Sequence, residues 1–325
     1  MANPVYSLAA GRRSWLLVLA LFASPFTSAA AQEAGGGSWR IYYEPSRDRV
    51  QLTFEDYEND GHRHGQTSFG VRSTELRGLD ASKLTSYDGP VRFQLVRDAG
   101  TFNFEGQIRD AHGTGFYTFT PDPRFAQQLV TRSYERPSSE QQEMLAMHNV
   151  GYALVDALKS EGYERPSVNQ LVVMGMHGAN YEYLRSLSAA GYRVGDTHRL
   201  VMLRDHGVTA DFIAGFADAG YKNLSLDDLL ELRDHGVTPE FIDAMRTFGF
   251  ASLSTDQLLA ARDHGVTESF VEGFRDLGYT NVSLREYVRL RDHGVTPGFA
   301  RHVKNSEGRL ASIDDLIRRR DRGDD

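Results

Sequence analysis

Six histidines recur at one fixed interval, and histidine can bind metals, transfer protons and change its charge near neutral pH. They lie 29 residues apart, at His148, His177, His206, His235, His264 and His293. The functional hypothesis is a metal-binding or pH-sensing array. The structural alternative is that a histidine before glycine, in the last turn of a helix, pairs with free carbonyl groups.

The interval itself favours the structural role. Packed helices lie about 8–10 Å apart, whereas zinc binds each imidazole nitrogen at about 2.0–2.1 Å. Two equivalent histidines would therefore have difficulty sharing one ion. Four of the histidines follow an aspartate that opposes the helix dipole and needs a partner: Asp205, Asp234, Asp263 and Asp292. We expect arginines to be those partners, with Arg204, Arg233, Arg262 and Arg291 as candidates.

A weaker metal candidate is the pair His62 and His64 in a glycine-flanked loop. Two ligands on one loop make a poor site, and a solvated turn is the simpler interpretation. The chain contains no H-E-x-x-H, G-x-S-x-G, phosphate-loop or cysteine-pair motif. We therefore predict no catalytic residues and no cofactor. A hydrolase with its site between the sheet and the first helices is kept as an alternative.

Each 29-residue unit predicts two short helices. In one unit, Ser225 begins the first helix with a capping box, and Gly236 ends it. Thr238 and Pro239 begin the second helix, and Gly249 ends it. Helices of about ten residues are unstable alone. The sequence therefore predicts stacked units, which is to say an α-solenoid.

The period extends beyond the histidines and predicts seven helices of each type over residues 122–325. The charged run Arg318–Arg322 is the polar terminus that a solenoid needs. The units at 138–193 fit the consensus least well, because Gly151 and Asn180 replace threonine and Gly175-Met176 replaces Arg-Asp.

Residues 39–121 follow a period of two instead, as half-buried strands do. The clearest strand segments are Arg49–Glu55, Arg92–Arg97, Thr101–Glu105 and Thr114–Thr120. They predict a small antiparallel sheet of five to seven strands that caps the solenoid. The glycine-rich residues 32–38 predict a flexible linker before it. The predicted fold class is thus α+β.

Residues 1–31 have the pattern of a secretory signal peptide: Arg12 and Arg13, a short apolar stretch, and small residues before Gln32. We expect an exported protein, periplasmic or extracellular, with no stable membrane insertion after cleavage. Loss of the two arginines moves the net charge from −8 to −10, which disfavours nucleic acid as a partner. The chain has no cysteine, so disulfides and thiol chemistry are excluded.

The hairpin and helix start Gly113–Phe125, followed by L-x-x-H-G-V-T-P-x-F helix pairs, resembles the extracytoplasmic regions of bacterial proteins. Such regions are often attached to BlaR-type antirepressor metallopeptidases. The resemblance implies an exported helix-pair repeat protein on the envelope side. The zinc motif and membrane helices of those peptidases are missing here, so the resemblance does not extend to peptidase activity.

The predicted function is a non-enzymatic scaffold that binds a protein or peptide of the cell envelope through the solenoid surface. The alternative is a metal- or pH-responsive sensor that uses the histidines. Contact residues should be those that differ between units at solvent-facing positions. The candidates are Glu231, Asp243, Arg246, Thr247, Glu272, Arg275, Arg285 and Arg289.

Overall fold

A computed structural model describes residues 36–44, 49–57 and 63–323. Residues 34–325 form one compact unit, and the fold is α+β, as the sequence predicts. Its strands are β1 (Gly36–Glu44), β2 (Arg49–Tyr57), β3 (Arg63–Arg72), β4 (Leu76–Arg77), β5 (Gly89–Arg97), β6 (Gly100–Arg109) and β7 (His112–Pro121). A short helix, α1 (Ala81–Ser86), lies between β4 and β5.

The seven strands form one antiparallel sheet in the order β3-β2-β1-β7-β6-β5-β4. The sheet is curled, because Phe54 on β2 packs against Phe102 on β6, at 4.9 Å between ring centroids, although two strands separate them. The four predicted strand segments fall on β2, β5, β6 and β7. On β7, Phe119 is buried, whereas Phe116 points outward and is 75% exposed.

Trp39 on β1 explains the glycines of the β7 hairpin. Its indole is fully buried and its nitrogen donates to the carbonyl of Phe116 at 3.0 Å. A Cβ at Gly113 would lie 2.9 Å from the Trp39 ring. A Cβ at Gly115 would lie 2.0 Å from the Glu105 carbonyl oxygen on β6. Both positions therefore need glycine to let the strands and the indole pack closely.

Helices follow the sheet in two alternating sets. The leading helices are α3 (Ser139–Met147), α5 (Val168–Met176), α7 (Thr197–Asp205), α9 (Leu226–Asp234), α11 (Thr255–Asp263), α13 (Leu284–Asp292) and α15 (Ile313–Arg322). The trailing helices are α2 (Pro123–Thr131), α4 (Tyr152–Ser160), α6 (Tyr181–Ala189), α8 (Ala210–Asp218), α10 (Pro239–Thr247), α12 (Glu268–Arg275) and α14 (Pro297–Glu307). Successive leading helices begin 29 residues apart.

The predicted helix ends are confirmed. Ser225 caps α9 in a capping box with Asp228, and Thr238 caps α10 with Pro239 in its first turn. His235 is the C-cap residue that follows α9, and Gly236 comes next at φ +70°, in the left-handed region that favours glycine.

The turn between β5 and β6 joins the sheet to the helices. The Asp98 carboxylate accepts a hydrogen bond from the Tyr152 backbone N–H at 2.9 Å, so it caps α4 from outside. A Cβ at Gly151 would lie 2.3 Å from that carboxylate, which is why threonine is absent there. The buried Gln142 amide of α3 donates to the carbonyls of Ala99, at 2.8 Å, and Asp122, at 3.0 Å.

The predicted linker, residues 32–38, is too long. Gly36, Gly37 and Ser38 belong to β1 and pair with β7, because their backbone groups complete the ladder between the two strands. The predicted signal peptide, residues 1–31, lies outside the described residues. None of the described helices has both the length and the apolar composition that a bilayer crossing requires.

Candidate interaction surface

Five of the six histidines pair with an aspartate of the next leading helix. We call these contacts the histidine–aspartate ladder: His177–Asp205, His206–Asp234, His235–Asp263, His264–Asp292 and His293–Asp321. An ionised carboxylate can only accept, so the histidine Nδ1 carries the proton in each contact. The distance from Nδ1 to Oδ1 is 2.8 Å for His177 and 2.6 Å for His235.

The ladder corrects the predicted partner of the aspartates. Each one ends a helix, where its charge opposes the helix dipole, and the histidine at the end of the preceding leading helix supplies the compensating donor. The four expected arginines, and Arg320 like them, instead lie over aromatic rings, at 4.5–5.5 Å from guanidinium carbon to ring centroid. These cation–π pairs are Arg204–Tyr183, Arg233–Phe212, Arg262–Phe241, Arg291–Phe270 and Arg320–Phe299.

The N-terminal end of the ladder is His177, directly after α5. His148 lies 29 residues before His177, but the residue 28 positions after His148, where the other histidines have an aspartate, is Met176. Gly175 replaces the arginine, and a Cβ there would lie 2.8 Å from the His148 Cβ and 2.7 Å from Val150. The His148 ring is thus packed in rather than paired. Burial lowers the pKa of His148, whereas the Asp263 carboxylate raises the pKa of His235.

An apolar patch covers the leading helices where the ladder ends. We define it as Met144, Val172, Val173, Met176, Val201 and Met202, on α3, α5 and α7. Val173 is 45% exposed and Met176 is 56% exposed, and they lie one turn apart on α5. Later leading helices hold Glu231, Ala260, Arg289 and Arg318 at the position of Val173.

The chemistry of this patch suits association with another polypeptide. Exposed apolar surface rimmed by polar groups is typical of interaction sites. Methionine side chains are flexible and polarisable, so they adapt to a partner's shape. The exposed neighbours Asn169, Gln170 and His198 supply a polar rim.

The eight predicted contact residues lie on several helices, and several of them make contacts inside the protein, including Arg289, which pairs with Asp314 at 2.8 Å. Arg246 donates to the Ala219 carbonyl at 2.7 Å, and Arg275 donates to the Phe248 carbonyl at 3.1 Å. Both bonds tie the end of one trailing helix to the next. Arg275 and Arg289 are half-buried, and the other six residues are exposed: Glu231, Asp243, Arg246, Thr247, Glu272 and Arg285.

The weak metal candidates cannot be placed. His62 lies outside the described residues, and for His64 only the backbone, in β3, is described. Within residues 36–44, 49–57 and 63–323, no three histidine, aspartate or glutamate side chains converge as metal ligands would. At the sheet–helix boundary, where the hydrolase alternative would have its site, the buried Gln142 amide is bonded to backbone carbonyls.

No protein-family model, curated protein or solved structure matches this chain.

Proposed function

We propose that this protein is an exported, non-enzymatic interaction module that binds a polypeptide of the cell envelope through the apolar patch on α3, α5 and α7. The helix pairs are proposed to stack as seven 29-residue repeats into a solenoid whose N-terminal end the sheet caps. The observation that carries the proposal is the exposure of Val173 and Met176 on adjacent turns of one helix.

The stacking part is supported by bonds that recur between helix pairs at constant sequence separations. Each ladder contact spans 28 residues. The Tyr192 and Tyr221 hydroxyls each donate to a carbonyl 32 residues later, at 2.9 and 2.7 Å. Repeated nearest-neighbour contacts of this kind are what stabilise a solenoid.

The patch is a stronger contact candidate than the eight polar residues of the sequence prediction. An exposed Val–Met surface gains free energy when it is covered, because apolar area leaves water. Arg246 and Arg275 already use donors on backbone carbonyls within the protein. Replacing those two would disturb packing as well as binding.

The test compares three forms of the full chain, immobilised and exposed to envelope extract: the parent, the double variant Val173→Lys/Met176→Lys, and Glu231→Lys. Glu231 is exposed at the same helical position of α9, so it controls for a new lysine in that row. A polypeptide retained by the parent and by Glu231→Lys, but lost with the double variant, is the expected result.

Thermal unfolding of the three forms accompanies the test. Because the substituted residues are exposed, their midpoints should agree to within about 2 °C. Equal retention by all three forms would contradict the patch as the contact surface. Loss with Glu231→Lys alone would move the contact to the polar residues of the later helices.

The ladder favours one other function, a pH-responsive sensor. Protonation of the histidines would add charge beside aspartates at five successive contacts between helix pairs. For the metal-responsive form of this alternative, saturating zinc should raise the melting temperature, since it would bind the native state preferentially. An unchanged melting temperature in zinc, nickel and copper would eliminate that form.

A further inference from the structure

A small cavity lies between the ends of α2 and α4, away from the apolar patch on the leading helices. Its volume is about 200 Å³. Its floor is apolar, formed by the buried Val155 and Leu158 of α4. Its polar walls are Thr131, Arg132, Ser133, Tyr134, Asp156, Lys159, Tyr163 and Arg165.

The walls of the cavity carry more positive than negative charge. Arg132 is committed to Asp156, with nitrogen–oxygen distances of 2.8 and 3.2 Å, so this pair is neutral. Lys159 and Arg165 remain, and neither makes a hydrogen bond or an ion pair with any residue in the described part of the chain. The charged side chains of the walls, three cations and Asp156, therefore carry a net charge of +2 in a chain whose net charge is −8.

Lys159 differs from the equivalent cations of later helix pairs. Arg246, Arg275 and Lys304 occupy its position, and each donates to a carbonyl 27 residues earlier, at 2.7, 3.1 and 3.0 Å. The corresponding acceptor for Lys159 is the Arg132 carbonyl, and that bond is not made among the described residues. The ammonium group is left at the cavity.

Tyr134 differs from its equivalents in the same way. The hydroxyls of Tyr192, Tyr221 and Tyr279 donate to carbonyls 32 residues later. The Tyr134 hydroxyl makes no hydrogen bond with the described residues, although its side chain is half-buried. Burial raises the pKa of Tyr134 against the opposing effect of Arg165. The phenol therefore keeps its proton at neutral pH and can donate a hydrogen bond.

We propose that this cavity binds the carboxylate of a small apolar organic acid. Lys159 and Arg165 face the carboxylate, the Tyr134 hydroxyl donates to it, and Val155 and Leu158 contact the apolar group. A charge-assisted hydrogen bond is stronger than a neutral one, and the volume accommodates one small side chain. The source we favour is the C-terminal residue of a polypeptide, a recurring recognition mode, with a free carboxylic acid as the alternative source.

The test is calorimetric titration of the full chain with four probes: N-acetyl-leucine, the peptide acetyl-Ala-Ala-Leu, the same peptide with an amidated C-terminus, and inorganic phosphate. We expect both free carboxylates to bind with Kd below about 1 mM, and the amide to bind at least about tenfold more weakly. The substitutions Lys159→Gln and Arg165→Gln should each weaken binding several-fold. Lys304→Gln is the matched control, since its ammonium group is already bonded, and should leave binding unchanged.

Tighter binding of the peptide acid than of N-acetyl-leucine identifies a polypeptide C-terminus, and equal binding identifies a free acid. The proposal is overturned if acid and amide bind equally, if none of the organic probes binds at that concentration, or if phosphate binds as tightly as the acids. None of these outcomes bears on the apolar patch, whose test uses other residues and another readout.

Discussion

The leading helices α3 and α5 differ from α7 to α15 in the same structural positions. In the leading helices α7 to α13, the last two residues and the one that follows read Arg-Asp-His, and the three side chains contact an aromatic ring and the adjacent helices. In α5 the sequence is Gly175-Met176-His177. At the ends of the later helices these side chains thus make internal contacts, whereas the end of α5 presents exposed apolar atoms at the same positions.

Two kinds of departure from the repeat can be separated by what they touch. Gly151 and Gln142 contact the β5–β6 turn, so the docked sheet accounts for them. Val173 and Met176 are 45% and 56% exposed, so packing inside the protein does not account for their apolar side chains. A departure from the repeat that packs against the sheet is thus explained within the protein, whereas one that leaves apolar side chains exposed indicates a partner.

Restoring the consensus at Gly151 should produce the largest effect. In Gly151→Thr the new Cβ would displace Asp98 and remove the cap on Tyr152, so we expect a loss of about 3 kcal/mol in the free energy of unfolding. The reverse change in a later helix, Thr238→Gly, should cost roughly a few tenths of a kcal/mol. Denaturant unfolding measures both changes in the free energy of unfolding. Equal losses would show that the Asp98 carboxylate of the sheet does not stabilise α4 as a cap.

Gln142→Leu tests the same boundary. Leucine is the residue at this position in later helices, as in Leu171, Leu200 and Leu229. We nevertheless expect a loss of about 2 kcal/mol, since two buried amide–carbonyl bonds disappear. A consensus substitution would ordinarily stabilise a protein. A neutral or stabilising result in denaturant unfolding would therefore contradict the stabilising contact between the Gln142 amide and the carbonyls of Ala99 and Asp122.

Met176→Asp would extend the ladder by one contact. The new carboxylate would stand 28 residues after His148, the separation that every ladder contact has. We expect the pKa of His148 to change from below its ordinary value of 6.5 to above it, because a carboxylate favours the charged imidazole. A histidine titration by NMR measures the change. A pKa that stays lowered would show that packing alone decides the state of this ring.

The smallest expected effects are on the pH dependence of stability, which should be opposite for His235, in the ladder, and for His148, outside it. Carboxylates of Asp263, Glu231 and Asp234 raise the pKa of His235, so its stabilisation is complete below 6.5 and lost as the pH rises through its folded pKa. The lowered pKa of His148 gives stabilisation that is complete above 6.5 and lost as the pH falls.

Melting temperatures of His235→Gln and His148→Gln, recorded from pH 5 to pH 8 beside the parent chain, measure this contrast. The deficit of His235→Gln should be larger at the acidic end, and that of His148→Gln at the basic end. Deficits that grow in the same direction for both variants would refute the distinction between a paired and a packed histidine.

Much of the fold was predictable, because helix caps and turns are local chemistry. The Ser225 and Thr238 caps and the glycine after His235 follow from neighbouring residues, and they are confirmed. The sequence does not reveal the ladder, because each contact joins residues 28 apart and an arginine stands directly before each aspartate.

The sequence also carries a sign of the boundary between the sheet and the helices. A glutamine at Gln142, where later units have leucine, indicates a buried polar contact with something outside the repeat. The linker prediction is wrong for the start of β1 at Gly36, since glycine composition indicates flexibility but does not exclude strand pairing. Exposure of Val173 and Met176 could not be predicted, because it depends on which helical face the neighbours cover.

The most direct test of the proposed contact surface is site-specific photo-crosslinking of the full chain in its native envelope. A photoreactive residue is placed at Val173 in one form and at Glu231 in another, the same position of two leading helices. If the apolar patch is the contact surface, we expect one discrete polypeptide adduct at position 173 and none at position 231. An adduct at position 231 with none at position 173 would contradict it.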